Sequence, residues 1–213
     1  MTGLDKAARL YSRIEHQADA TIHVLGVAFA LAASVWLLTH VSGAATVAAV
    51  SVYCTGLLAM IMASAAYNLA PSGTLKDILR RFDHSAIFVM IAATYTPFAA
   101  DRLGYPVGDM ILALVWSAAA AGVALKMLFP RRFEKVSIAL YLAMGWLIVT
   151  AIKPLAASVA AVDFWLLIVG GLIYSAGVAF YLIERIPFHK AIWHGFVLAA
   201  AVLHFAAIAI EFT

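Results

Sequence analysis

The sequence predicts an all-α integral membrane protein, a seven-transmembrane helix bundle with its amino terminus in the cytoplasm and its carboxyl terminus outside. Three observations predict it. The chain is 65% hydrophobic and only 12% charged, where a soluble domain carries roughly a quarter charged residues. Its apolar residues gather into seven long runs, and about 20 such residues cross a bilayer as a helix. Its basic residues fall almost entirely on one side of those runs.

The runs lie near residues 21–41, 45–67, 84–100, 109–128, 136–152, 157–182 and 191–211. Runs this continuous are helical, because in lipid only helices and closed barrels satisfy their own backbone groups. The first carries Glu15, Asp19 and His23 at its start, then Gly26 and Trp36, with His40 at its far end. The second contains Gly56 and the one cysteine, Cys54, which excludes an intramolecular disulfide and a cysteine metal cluster and reads as a packing residue. Ser64 and Asn68 close it. The third opens on Asp83 and His84, and Pro97 is expected to end or kink it near its outer side. The fourth and fifth hold Trp116 with Gly122, and Gly145 with Trp146. The sixth holds Trp165, Gly170, Gly171 and Gly177. The seventh follows Lys190 and carries Trp193, His194 and His204. The glycines read as close-packing positions, and the tryptophans as interface anchors or packing residues.

The connections are too short for a second domain, so residues 1–213 read as one membrane domain. Residues 1–17 have no apolar core with a cleavage site, and read as retained. Leu4, Ala7, Ala8, Tyr11 and Ile14 recur at helical spacing among Lys6, Arg9 and Arg13, the pattern of a helix lying on the membrane surface.

Orientation follows from charge. Lys6, Arg9 and Arg13 precede the first run. Lys76, Arg80 and Arg81 lie in the second connection, Lys126, Arg131, Arg132 and Lys135 in the fourth, and Arg185 and Lys190 in the sixth. The other side holds Arg102 and Lys153. The positive-inside rule puts the amino end in the cytoplasm. The placement is that of a multi-pass protein of a bacterial-type inner membrane. The formal charge of +3 follows topology and points to anionic lipids, not to nucleic acid.

Ionisable residues in or near a span mark a site by default. Glu15, Asp19 and His23 are spaced i, i+4, i+8 and share a helix face. Ser64 and Asn68, Asp83 and His84, and Lys190 and His194 come to a similar depth on three other helices. These nine residues define a candidate pocket at the cytoplasmic end. Each also has an ordinary explanation: Asp83 as a helix cap, Lys190 snorkelling to the headgroups, Glu15 in water. His204 lies about 15 Å further along its helix than His194, and is expected to hydrogen-bond a neighbouring helix.

At these residues the chain resembles the hemolysin III family, the bacterial branch of the progestin and adipoQ receptor group. The resemblance is carried by Glu15-x3-Asp19-x3-His23, Ser64-x2-Tyr67-Asn68, the block Arg81-Phe82-Asp83-His84-Ser85-Ala86-Ile87-Phe88, Tyr95-Thr96-Pro97-Phe98, Met144-Gly145-Trp146, Gly170-Gly171-Leu172-Ile173-Tyr174 and Ala191-Ile192-Trp193-His194. It implies a seven-helix bundle with its amino end inside. It also implies a zinc site: Ser-x3-His on the second helix, His-x3-His on the seventh, and a carboxylate of the third against the metal-bound water.

This sequence departs from that pattern. Asn68 and Lys190 stand at two of the three histidine positions, and His194 is the one retained ligand position. His189 is turned roughly 140° from His194 on a regular helix. No cofactor is therefore expected, zinc being the alternative. Losing a dication from among carboxylates leaves uncompensated charge, so the Lys190 ammonium is expected to pair with Asp83 or Asp19. The reading that follows is a membrane-state sensor or lipid-binding regulator with a degenerate metal site and membrane lipids as partners. One alternative is a zinc-dependent hydrolase of a lipid amide or ester, with Asp83 as base and Ser64 as polar partner. The other is a channel or pore, which would want polar residues through the whole membrane depth.

Overall fold

The computed structural model describes residues 13–213, and all its regular elements are helical. The surface helix expected over residues 1–17 falls largely outside the described residues. The helices are α1 (Arg13–His40), α2 (Ala44–Leu69), α3 (Thr74–Asp101), α4 (Val107–Leu128), α5 (Glu134–Gly145), α6 (Ile152–Ser158), α7 (Ala161–Leu182) and α8 (His189–Phe212), with a 3₁₀ turn over Leu147–Ala151 between α5 and α6.

Among the described residues, six elements are long and apolar enough to cross a membrane: α1, α2, α4, the broken element Glu134–Ser158, α7 and α8. The third predicted run is part of the remaining long helix, α3. That run, 84–100, is shorter than the ~20 residues a span needs, and the first turns of α3 are polar, with Lys76, Asp77, Arg80, Arg81 and Asp83. In the bundle α3 packs between α2 and α4. Its residues Phe88, Ala92 and Ala93 are wholly buried.

The helices close into a ring in the order α4, α3, α2, α1, α8, α7, with α5 completing it between α7 and the α3–α4 pair. Apolar surface faces outward as well as inward. Val24, Leu25 and Val35 on α1, and Trp165 and Leu172 on α7, are exposed, as expected where the solvent is lipid. Association then rests on close packing. The Phe88 ring lies directly over Gly122, where a Cβ would strike it. Gly170 admits the His204 ring, whose Nε2 lies 3.2 Å from the Leu167 carbonyl of α7. His204 therefore serves the α7–α8 contact, as its depth suggested. Cys54 is buried and free.

Several boundaries differ from the sequence reading, and α3 begins at Thr74, well before its predicted run, so Asp83 lies inside the helix and is not its cap. Helix α1 is already helical at Arg13, the first described residue, well before the apolar run near 21, and its polar Asp19 and His23 are buried against the bundle. Pro97 does not end α3, which runs on to Asp101. Threonines bond the carbonyls around it, Thr96 Oγ1 to Ala92 and Thr94 Oγ1 to Met90, each at 2.9 Å. Such side chains let a membrane helix tolerate proline. The fifth run breaks at Trp146 and resumes through Ser158, so Lys153 lies inside α6 and not in a connection.

Candidate functional site

A cavity of about 500 Å³ opens at the end of the bundle where α1, α3, α5 and α8 begin and α2 and α7 end. Its polar wall includes His23, Ser64, Asn68, Arg80, Asp83, His84, Glu134, Lys190 and His194. Its apolar wall includes Ile22, Met60, Ile61, Ile87, Val197 and Leu198. A second cavity of about 120 Å³ shares Met60, Ile87, Tyr141, Tyr174, Val178 and Trp193 with it. This one reaches deeper, to Met90, Tyr95 and His204, and its lining is largely apolar. The two cavities are neighbours with walls in common, the first largely polar on one side and the second largely apolar.

The first polar group joins α1 to α8. The i, i+4 spacing puts Asp19 and His23 on the inward face of α1, and both are buried. Asp19 lies behind the cavity wall. One carboxylate oxygen is 2.6 Å from His194 Nδ1, the other 3.7 Å from His23 Nε2. The His23 and His194 rings are 4.5 Å apart. The expectation was a pairing of Asp19 or Asp83 with Lys190; the direct partner of the Asp19 carboxylate is His194, and the Lys190 charge acts on it from further away. Sequence spacing named all of these residues without pairing Asp19 to His194, because a contact between two helices has no register in the sequence.

Glu15 turns elsewhere. It accepts the backbone N–H of Phe188 at 2.9 Å and is not part of the cavity wall. Phe188 stands just before α8 with φ 60°, a left-handed conformation that costs a bulky residue of order 1 kcal/mol. A carboxylate at this amide also complements the positive end of the helix dipole. The turn swings His189 to the cavity wall, although helical spacing alone turned it away.

The second group joins α2, α3 and α5. Ser64 and Asp83 line the same cavity, and His84 Nε2 lies 4.0 Å from Asp83. Glu134, at the start of α5, accepts from Arg80 at 2.8 Å and from buried Lys126 at 2.9 Å, with His84 Nδ1 at 3.6 Å. In the sequence Arg80 and Lys126 read only as topology charges, and Glu134 is not singled out. The available signal was one acid among the four basic residues of the connection, Lys126, Arg131, Arg132 and Lys135. Nearby, the Lys76 ammonium donates to the Ala70 carbonyl at 2.9 Å. Burial, then repulsion from Lys190, holds it below the ordinary lysine range.

The family profile described as haemolysin-III related matches residues 12–205. The chain belongs to this family. It is 39% identical over 194 residues to the hemolysin-3 homolog of Bacillus subtilis (strain 168), covering 90% of this chain and 91% of that protein. It is 37% identical over 205 residues to hemolysin-3 of Bacillus cereus, with 94% of each chain covered. It is 31% identical over 166 residues to the monocyte to macrophage differentiation factor of Homo sapiens, covering 74% of this chain and 67% of that protein. This last likeness extends the relationship to the progestin and adipoQ receptor group. With six helices able to cross a bilayer, this haemolysin-III-related chain is a multi-pass membrane protein.

The zinc positions that the family resemblance implies do not suit a dication here. The Asn68 amide nitrogen donates back into its own helix, to the Ser64 carbonyl at 3.0 Å and hydroxyl at 3.4 Å. Lys190 is exposed and brings a positive charge. Of that set, His194 alone offers a good donor.

Proposed function

We propose that this haemolysin-III-related protein spans a bacterial inner membrane seven times, amino terminus in the cytoplasm, and binds a membrane lipid in its cavity as a sensor or regulator of membrane state. The seventh span is the apolar part of α3. The orientation is supported by the charge split, since Lys76, Arg80, Arg81, Lys126, Lys135, Arg185 and Lys190 lie around the cavity end of the bundle, leaving Arg102 and Lys153 for the opposite side.

One observation carries the lipid reading: the cavity sets a polar wall against an apolar one, and a second, largely apolar cavity adjoins it. An amphiphile needs both. A volume of about 500 Å³ lies within the range of small-molecule sites, roughly 300–1,000 Å³. The pore reading loses ground because ionisable lining gives way to an apolar interior. The test is mass spectrometry of lipids retained by protein purified in mild detergent. A defined lipid species near one per chain is expected, with Val178→Trp, which fills the space between the cavities, reducing it. Only bulk lipid, equal in both proteins, would refute the reading.

A second reading, hydrolysis of a lipid amide or ester, is favoured by Ser64 and Asp83 lining the same cavity. It requires turnover of a lipid amide or ester that Asp83→Asn abolishes while lipid binding persists.

A further inference from the structure

We propose that Asp19, His23 and His194 form a site for one divalent transition-metal ion of the zinc type, held between α1 and α8. The three side chains each present a donor atom, all within 4.8 Å of one another. Asp19 is 2% and His23 5% exposed, so the donors are withdrawn from bulk water. The set shares only His194 with the α2–α8 positions that the resemblance implies. Two of its three donors come from the first helix.

A proton alone does not account for this arrangement. A hydrogen bond between Asp19 and His194 satisfies those two side chains, at 2.6 Å. It leaves His23 Nε2 buried with no hydrogen-bond partner, 3.7 Å from the other oxygen of the same carboxylate. An unanswered buried polar nitrogen costs roughly 1–3 kcal/mol. A cation between the two rings and the carboxylate answers all three donors at once.

Donor chemistry selects the ion. Two imidazoles and one carboxylate match zinc and its neighbours, with bonds of about 2.0–2.2 Å. Calcium and magnesium prefer oxygen donors throughout. Donors bonded at that length around a tetrahedral ion stand about 3.3 Å apart, and the donor atoms here, all within 4.8 Å of one another, would draw together on binding. His23 and His194 line the cavity, so an ion held by them would be reached from its lumen. The exposed Lys190 is outside the donor set, as is Asn68.

The test uses untagged full-length protein in mild detergent, stripped with chelator and titrated with Co²⁺ alone. The inference does not depend on a bound lipid, since no lipid enters the titration. One equivalent is expected, with the visible absorption of low-coordinate cobalt. Asp19→Asn, His23→Gln and His194→Gln should each weaken binding at least roughly 100-fold, the upper end of what losing even an outer-shell partner costs. Asn68→Ala should retain the ion. X-ray absorption of Zn²⁺-loaded wild type, which needs no variant, should show two imidazoles and only nitrogen or oxygen donors. Absence of stoichiometric binding, unchanged affinity in folded His23→Gln, or a sulfur ligand would overturn the proposal.

Discussion

The hydroxyl of Tyr95 on α3 accepts the backbone N–H of Ile148 at 3.0 Å, and so ties α3 to the break between α5 and α6. The same hydroxyl donates toward the carbonyls of Met144 and Gly145, each at 2.9 Å. These are the backbone groups that an interrupted helix leaves unpaired. Tyr141 adds a second tie, donating to the His84 carbonyl at 2.8 Å. Helix α5, which forms one wall of the cavity, is thus pinned to α3 by hydrogen bonds.

Tyr95→Phe keeps the ring and removes the hydroxyl. Buried carbonyls and the Ile148 N–H lose their partner, a cost of about 1–3 kcal/mol. Thermal unfolding in detergent should start lower, and backbone exchange should rise first at Leu147–Ala151. Unchanged exchange there would show that the break is held by something else.

Glu134→Gln removes the countercharge of Lys126, which is 2% exposed. Leaving one partner of a buried pair costs roughly 3–5 kcal/mol, and exposure of Glu134 places the expected loss near the lower figure. Adding Lys126→Met should restore part of the loss, because the uncompensated ammonium goes with it. Chemical denaturation of both variants checks this, and strictly additive losses would contradict it.

Gly122→Ala should destabilise by about 1–3 kcal/mol, because the added methyl strikes the Phe88 ring. Gly145→Ala meets nothing within 4 Å and should be close to neutral. Melting temperatures of the two variants, compared in one detergent, measure the difference. Equal effects would mean that α3 and α4 are not in close contact there.

Glu15→Ala removes the acceptor of the Phe188 N–H, 2.9 Å away. Deuterium uptake at the start of α8 should increase, with a stability loss of about 1–3 kcal/mol. Because that turn positions Lys190 and His194, cobalt affinity should fall as well. Unaltered uptake would show that Glu15 does not anchor α8.

The helical class and most of the run positions were legible in the sequence, because hydrophobicity and backbone satisfaction in lipid act on each segment separately. So was the face shared by Asp19 and His23, a matter of helical period within one element. The break at Trp146–Ala151 was not, since it rests on Tyr95, some fifty residues away in the chain. Nor was the Glu134 cluster, since a charge in a connection looks the same whether it meets solvent or buried Lys126. Only the tertiary structure decided that Asp19 meets His194 while Glu15 turns to Phe188. The rotation and depth of α1 against α8 select between them, and both are set by packing around the whole ring.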